Sequence, residues 1–197
     1  MAATRDEDGT SLRERLADNG AGVVLGAAAV GLAAGLAANL GRKAVVQGMS
    51  AATGDWAAAL AAEHAAALKI FDALQATDET DTRKRSTLLA QLKHALTKHA
   101  VQEENVVYPA LRDAGEIAGA DELNHEHGYV KQYLYELENM DKASAEFLPT
   151  VAKFRTDIED HMREEENELF PRLHAKLDEA QNRKLTLLMN KEGFKIA

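Results

Sequence analysis

The chain contains two copies of one thirteen-residue pattern, HAVQEENVVYPAL at residues 99–111 and HMREEENELFPRL at residues 161–173. Six of the thirteen positions are identical, and an aromatic residue precedes the proline in both copies, as Tyr108 and Phe170. Each copy begins with His-x-x-x-Glu, a spacing that places both side chains on nearly the same face of an α-helix. The pattern therefore predicts two equivalent helices, each presenting an imidazole and a carboxylate together.

The helices that precede the two copies are duplicated as well. Their apolar residues recur every three or four positions, which is the spacing of a helix with one buried face. At an offset of 63 residues the aligned pairs are Leu60/Leu123, His64/His127, Ala67/Val130, Phe71/Leu134 and Leu74/Leu137. Because a helical hairpin cannot bury its apolar face alone, two facing hairpins favour a four-helix bundle. We therefore expect an all-α, up-down four-helix bundle over residues 55–176.

The segments outside the duplication differ from it in composition. Residues 1–19 are polar and charged and are expected to form a tail. Residues 20–50 are rich in Ala and Gly and predict an extra apolar helix. Residues 177–197 predict a short C-terminal helix, centred on an amphipathic stretch at 179–190, followed by a tail.

Residues 20–41 form an uncharged, mostly Ala and Gly run of 22 residues. Its length matches a bilayer, and its Gly-x-x-x-Gly patterns permit close helix packing. The run has few large aliphatic residues, so packing on protein or on a second copy is the alternative to membrane association. We expect a cytoplasmic bundle in which residues 20–41 either anchor the protein to the inner face of a membrane or mediate self-association.

The overall composition excludes several kinds of chemistry. With 32 Asp and Glu against 23 Lys and Arg, the chain has a net charge of −9. Such an acidic surface repels phosphate backbones, so we expect no nucleic-acid partner. The chain has no cysteine, which excludes disulfides, thiolate catalysis, iron–sulfur clusters and cysteine-type zinc sites. Any metal must therefore be bound by histidine and carboxylate.

Six titratable side chains fall within the predicted apolar faces. They are His64, His99, Glu103, His127, His161 and Glu165. Buried carboxylates need a counter-charge, and imidazole nitrogen with carboxylate oxygen suits iron, manganese or zinc. If Glu103 and Glu165 each bridge two ions, every ion has two histidines and keeps positions for a small ligand. We therefore predict two non-heme iron ions joined by an oxo or hydroxo bridge.

Neighbouring residues are expected to have lesser roles. Two residues along a helix turn about 200°, so His125 and His127 cannot face the same metal, and the duplicated pattern selects His127. His125 is then an alternative ligand or lies on the outer face. Glu104 and Glu166 are expected to hydrogen-bond a ligand imidazole, with direct metal binding as the alternative.

Each copy also contains a proline, Pro109 or Pro171, six residues after its ligand glutamate. Proline has no backbone N–H, so we expect it to kink or end each helix. Packing is the expected role of the neighbouring Tyr108, with hydrogen bonding at the site as the alternative.

The two His-x-x-x-Glu motifs, each preceded by a lone histidine and followed by Glu-Asn-x-x-aromatic-Pro, resemble the hemerythrin-like (His-His-Glu cation-binding) family over residues 55–176. The resemblance implies a carboxylate-bridged di-iron centre in a four-helix bundle. It also implies binding of, sensing of or reaction with dioxygen, nitric oxide or peroxide.

The chain departs from the oxygen-carrying members of this family in two places. Those proteins have a fifth histidine on the third helix and an aspartate in the last motif. Here the last motif has Glu165, and no histidine lies four residues from His127. Redox chemistry, sensing or iron handling is therefore favoured over reversible oxygen carriage. An iron- or oxygen-sensing module without turnover is one alternative, and a non-redox metal-binding bundle is another.

Overall fold

The computed structural model describes residues 54–196, which form an all-α fold. The helices are α1 (Trp56–Gln75), α2 (Thr82–Gln102), α3 (Tyr108–Asp113), α4 (Ile117–Asn139), α5 (Phe147–Glu164), α6 (Phe170–Lys176) and α7 (Glu179–Ile196). Two five-residue π-helical turns, Glu103–Val107 and Glu165–Leu169, join α2 to α3 and α5 to α6 without a break. The described chain therefore contains five continuous helical rods.

The first four rods form the predicted bundle. α1 packs against α2 and α5, and α4 packs against the same two helices, so the four rods surround a common interior. The helix ends have common start and stop residues. The carboxylate of Asp55 accepts a hydrogen bond from the Ala58 N–H (3.0 Å) and caps the start of α1. Gly115 has a φ of +88°, a left-handed conformation that ends α3 before α4 begins.

The two prolines do not end their helices. The Tyr108 N–H bonds to the carbonyl of Glu103, five residues back, and the Phe170 N–H bonds to Glu165 in the same way. Each helix therefore widens by one residue just before its proline. Pro109 and Pro171 directly follow these turns, at the start of α3 and α6. The widened turn explains why the helix continues where proline was expected to kink or end it.

The interior consists of two apolar clusters with a polar layer between them. The upper cluster, as we name it, includes Trp56, Leu60, Tyr108, Leu111, Leu123, Phe170 and Leu173. The lower cluster includes Phe71, Leu74, Leu92, Leu134, Phe147, Phe154 and Ile158. All six predicted ligands lie along the sequence between residues of these clusters, so apolar packing on both sides holds the polar layer in place.

The C-terminal helix is longer than predicted. It was expected over residues 179–190, but α7 continues to Ile196 and packs on α1, α2 and the first π turn. Leu185 and Met189 belong to the upper cluster, and the Trp56 Nε1–H donates to Asn182 Oδ1 (2.9 Å). The fifth rod is therefore part of the packed core.

The predicted apolar helix at 20–50 and the tail at 1–19 lie outside the described residues. Between residues 54 and 196, no helix is both long enough and apolar enough to cross a bilayer. Membrane association through residues 20–41 stays a prediction from sequence.

Arg85 ties together two loops at the lower end of the bundle. This buried side chain donates from Nε to Thr77 Oγ1 (2.9 Å) and from Nη1 to the Lys142 carbonyl (2.5 Å). Its guanidinium also lies 5.0 Å from the ring centroid of Phe147.

We predict that Arg85→Ala lowers the free energy of unfolding by about 2 kcal/mol, because two charge-assisted hydrogen bonds and a cation–π contact are lost. Urea denaturation measures the change.

The matched control is Arg83→Ala, since Arg83 is an exposed arginine on the same helix. Its unfolding free energy is expected to stay within about 0.5 kcal/mol of the wild type. Equal midpoints for the two variants would contradict this account of Arg85.

Candidate metal centre

The six side chains predicted as ligands meet in the polar layer between the two clusters. They are His64 on α1, His99 on α2, Glu103 in the first π turn, His127 on α4, His161 on α5 and Glu165 in the second π turn. None of the six exposes more than 6% of its surface, and the two glutamates are fully buried. The helical repeat thus brings together residues that are far apart in sequence.

The donor atoms fall into two groups that share a residue. The first group contains His64, His99, Glu103 and Glu165, and the second contains Glu103, His127 and His161. Within each group, one donor atom from every residue lies within 4.8 Å of all the others. Glu165 Oε2 also lies near both sides, 3.3 Å from His64 Nε2 and 3.5 Å from His161 Nε2. Both carboxylates therefore lie between the two pairs of imidazoles.

Every imidazole in the layer is oriented by a carboxylate on its outer side. The Nδ1 pairs are His64 with Glu166 (2.7 Å), His99 with Glu63 (3.2 Å), His127 with Glu104 (3.0 Å) and His161 with Glu126 (2.7 Å). A carboxylate on Nδ1 favours a proton on that nitrogen and directs the Nε2 lone pair toward the centre. The four imidazoles are thus arranged as ligands oriented by outer carboxylates.

Two of these outer carboxylates were identified from sequence and two were missed. Glu104 and Glu166 lie at hydrogen-bonding distance from the imidazoles of His127 and His64, which is the contact predicted for them. Glu63 and Glu126 were not singled out, although each directly precedes the lone histidine of its repeat. Because that one-residue step turns the side chain about 100°, each glutamate reaches the histidine of the following helix instead.

His125 lies outside both groups. It is exposed, and its Nε2 is 3.1 Å from the hydroxyl of Tyr129 on the same helix. His127, two residues later, is buried and belongs to the second group. The structure therefore brings together the histidine that the duplicated pattern selects.

Charged partners hold the carboxyl groups of Glu63 and Glu103 ionised. Burial raises the pKa of Glu63, but hydrogen bonds and positive charge from His99 and Lys98 outweigh burial and bring the pKa to about 2. Lys98 is itself buried, with Nζ 2.5 Å from Glu63 Oε1. Burial likewise raises the pKa of Glu103, yet His99 and His127 hold it well below the ordinary value.

The same contacts favour protonated imidazoles. Burial lowers the pKa of His127, but hydrogen bonds to Glu103 and Glu104 outweigh burial and raise the pKa to about 9. The hydrogen bond from His127, followed by the contact with Lys131, lowers the pKa of Glu104 to about 2. Protons on the imidazoles and a bound cation are therefore alternative counter-charges for the buried carboxylates.

Three donor atoms in the layer lack hydrogen-bond partners. They are Glu103 Oε1, Glu165 Oε2 and His161 Nε2, all fully enclosed. Glu103 Oε1 lies 3.0 Å from His99 Nε2, but without the alignment of a hydrogen bond. A buried polar atom without a partner is costly, and a cation at this place would satisfy all three. The residues present therefore fit a metal centre.

Tyr108 is part of this layer rather than a packing residue alone. Its hydroxyl donates to Glu165 Oε1 (2.7 Å) and lies 3.0 Å from His127 Nε2 and 3.4 Å from Glu103 Oε2. Burial and the negative charges of Glu103 and Glu165 raise the pKa of Tyr108 well above its ordinary value. Tyr108 packs in the upper cluster as expected, and its hydroxyl also has the alternative role of hydrogen bonding at the site. The sequence signal for the second role was the difference between Tyr108 and Phe170 in otherwise matching motifs.

Residues 57–173 match the family model described as the hemerythrin HHE cation-binding domain. The chain is 30% identical over 112 residues to a DNA nickase of Nostoc sp., an alignment that covers 57% of this chain and 31% of that protein. It is 33% identical over 92 residues to an uncharacterized hemerythrin-like protein of Schizosaccharomyces pombe, covering 44% of each chain. The chain thus spans less than half the length of either relative. No solved structure matches it significantly.

The pKa values predict how the stability of the metal-free protein depends on pH. His127 is raised from 6.5 to about 9, so its contribution is complete below pH 6.5 and is lost as the pH rises through 9. Glu63 and Glu104 are lowered from 4.5 to about 2, so their contribution is lost only as the pH falls toward 2. We predict that the melting temperature of chelator-treated protein is highest between about pH 4.5 and 6.5 and falls from there to pH 9.

Thermal melts across this pH range test the prediction. His125→Ala should leave the shape of the profile unchanged, since His125 does not contact the buried carboxylates. A melting temperature that is constant from pH 6.5 to 9 would show that protonated imidazoles do not balance these groups.

Proposed function

The chain belongs to the hemerythrin HHE cation-binding domain family, and on that basis we propose that its two buried groups bind two non-heme iron ions that react with dioxygen, nitric oxide or peroxide. The observation that carries this proposal is the pair of fully buried glutamates, Glu103 and Glu165. Each has an oxygen without a hydrogen-bond partner, and both face imidazoles whose Nδ1 atoms contact carboxylates. Such carboxylates require positive charge, and a metal pair supplies it.

In this proposal the ligands divide between two ions. His64 and His99 bind the first ion, and His127 and His161 bind the second. Glu103 and Glu165 bridge them, which is supported by the membership of Glu103 in both groups and by the distances of 3.3 and 3.5 Å from Glu165 Oε2 to imidazoles on either side. Bridging also gives each carboxylate two cationic neighbours, the arrangement that best offsets its burial.

The donor set favours iron over structural zinc. Two imidazoles and two shared carboxylates give each ion four protein ligands. An octahedral ion with these ligands keeps open positions for a small ligand. Structural zinc prefers closed tetrahedral sites, most often with cysteine, which this chain lacks. When bound, a ferrous pair supplies electrons to an oxidising small molecule. The protein's part is to fix the imidazoles through Glu63, Glu104, Glu126 and Glu166.

A cavity beside the second group supports a small reactant. Its volume is about 90 Å³, and its lining includes His99 of the first group, His127 and His161 of the second, and several apolar side chains. The apolar ones include Leu96, Val130, Leu134, Ile158 and Met162. Space on this scale accommodates a diatomic molecule or peroxide. The net charge of −9 likewise supports a small molecule rather than a nucleic acid as the partner.

A pair of histidine variants tests the metal assignment. We predict that His127→Ala lowers the iron content of the full chain below two ions per chain and lowers its melting temperature, because the buried carboxylates lose part of their counter-charge. His125→Ala is the matched control, on the same helix but exposed, and should bind as much iron as the wild type. Metal analysis measures iron content after loading with Fe(II) under nitrogen.

An optical spectrum after exposure to air completes this test. A visible absorption band from a ferric pair in the wild type and in His125→Ala, and its loss in His127→Ala, is the expected result. Equal iron content in both variants would remove the basis for the ligand assignment. Full loading by Zn(II) or Mn(II), with no ferric band after loading with iron, would favour the non-redox bundle instead.

A sensing module without turnover is the second candidate, and the position of α7 favours it. The helix packs on the first π turn, which begins at Glu103. Leu185 and Met189 of α7 share the upper cluster with Tyr108. A change in the ligation of Glu103 would therefore be transmitted by direct packing to the surface that α7 presents.

Hydrogen exchange distinguishes the two candidates. If the protein is a sensor, backbone amides of α7 exchange at different rates in the ferrous and ferric proteins. The amides of α1 near Phe71 and Leu74, in the lower cluster, serve as the unchanged control. If it is an enzyme, the protein consumes peroxide repeatedly and the exchange of α7 is independent of oxidation state.

A further inference from the structure

The two donor groups are unequal, although the hairpins that supply them are duplicated. Among residues 54–196, histidine and carboxylate provide four donors to the first group and three to the second. Glu165 belongs to the first group, while the second has only Glu103, His127 and His161. The second group is therefore one donor smaller by this distance, although Glu165 Oε2 also lies 3.5 Å from His161 Nε2.

A phenol hydroxyl lies beside the smaller group. The oxygen of Tyr108 is 3.0 Å from His127 Nε2 and 3.4 Å from Glu103 Oε2, two atoms of the second group. Its third neighbour is Glu165 Oε1, at 2.7 Å. All three neighbours are donor atoms of the centre, and the side chain is 1% exposed. The hydroxyl therefore faces the place that a second ion would occupy.

The equivalent position in the other half has no hydroxyl. Phe170 occupies the same place in the duplicated motif, and its ring stacks on His64 of the first group at a centroid distance of 6.5 Å. Phe170 packs there beside a group that already has four donors. If the aromatic ring were needed for packing alone, phenylalanine would serve in both halves. The hydroxyl occurs only beside the smaller group.

We propose that the Tyr108 oxygen is an additional protein ligand of the second metal position, beside His127, His161 and the two shared glutamates, which makes the two ions chemically different. This inference rests on the proposed function, because it assigns a further ligand to the same centre. On binding of a ferric ion, the phenol O–H bond breaks, an Fe–O bond forms, and the proton leaves to solvent. No oxidation or reduction accompanies the exchange. Phenolate is a hard anionic oxygen donor, which suits ferric iron.

The Tyr108→Phe variant tests the assignment in the full chain. The substitution reproduces the residue at 170 and keeps the ring, so the fold is expected to persist, as circular dichroism can verify. Wild-type protein is loaded with Fe(II) under nitrogen and then oxidised in air. We expect a phenolate-to-iron charge-transfer band in the visible spectrum, with tyrosinate ring modes in its resonance Raman spectrum. Tyr108→Phe loses the band and the ring modes, and its iron content falls from two ions toward one per chain.

Tyr133→Phe is the matched control. This second tyrosine donates its hydroxyl to Asp157 on α5 (2.5 Å) and belongs to neither donor group. Its substitution should preserve the band and both ions. The resonance Raman measurement on the wild type is independent of any variant, so a folding defect in Tyr108→Phe does not prevent a decision.

The possible results separate this inference from the proposed function. A wild-type chain that binds two ions and forms a ferric pair without tyrosinate modes overturns the assignment of Tyr108 alone. Retention of the charge-transfer band in Tyr108→Phe does the same. A wild-type chain that binds no iron overturns the proposed function and this inference with it.

Discussion

The interior of this protein depends on the burial of two carboxylates. Glu103 and Glu165 expose no surface, so each must be balanced by positive charge within a few ångströms. Four imidazoles face them from four different helices, and four outer carboxylates face the imidazoles in turn. Charge thus alternates outward from the centre in successive layers, and the two apolar clusters close the ends.

Much of this arrangement could be predicted from sequence because it repeats. Residues at i and i+4 share a helix face, so each His-x-x-x-Glu motif could be assigned to the interior without knowledge of the fold. Duplication then identified the partner histidines, since His64 and His127 occupy equivalent positions in two hairpins that must face each other. The same argument distinguished His127 from His125, which lies on the exposed side of α4.

The remaining features depend on contacts between helices, which one helix does not specify. Glu63 and Glu126 act on histidines of a different helix from their own, so helical spacing gives no direct indication of their partners. The length of α7 depends on packing against α1, α2 and the first π turn, because Leu185 and Met189 are buried by the rest of the bundle. The hydroxyl of Tyr108 reaches Glu103 through the π turn, which the spacing of the motif does not reveal.

Each π turn changes the direction in which the side chains after it point around the helix axis. In a regular α-helix, Glu103 and Tyr108 are five residues apart and would point about 140° away from each other. Because the first π turn absorbs one residue, the effective step is close to four, and both side chains reach the same centre. The duplicated turn does the same for Glu165 and Phe170. A single surplus residue, absorbed in each π turn, therefore sets which side chains converge. If the same residues continued as a regular α-helix, everything downstream would rotate by about 100° and the aromatic rings would separate from the acids.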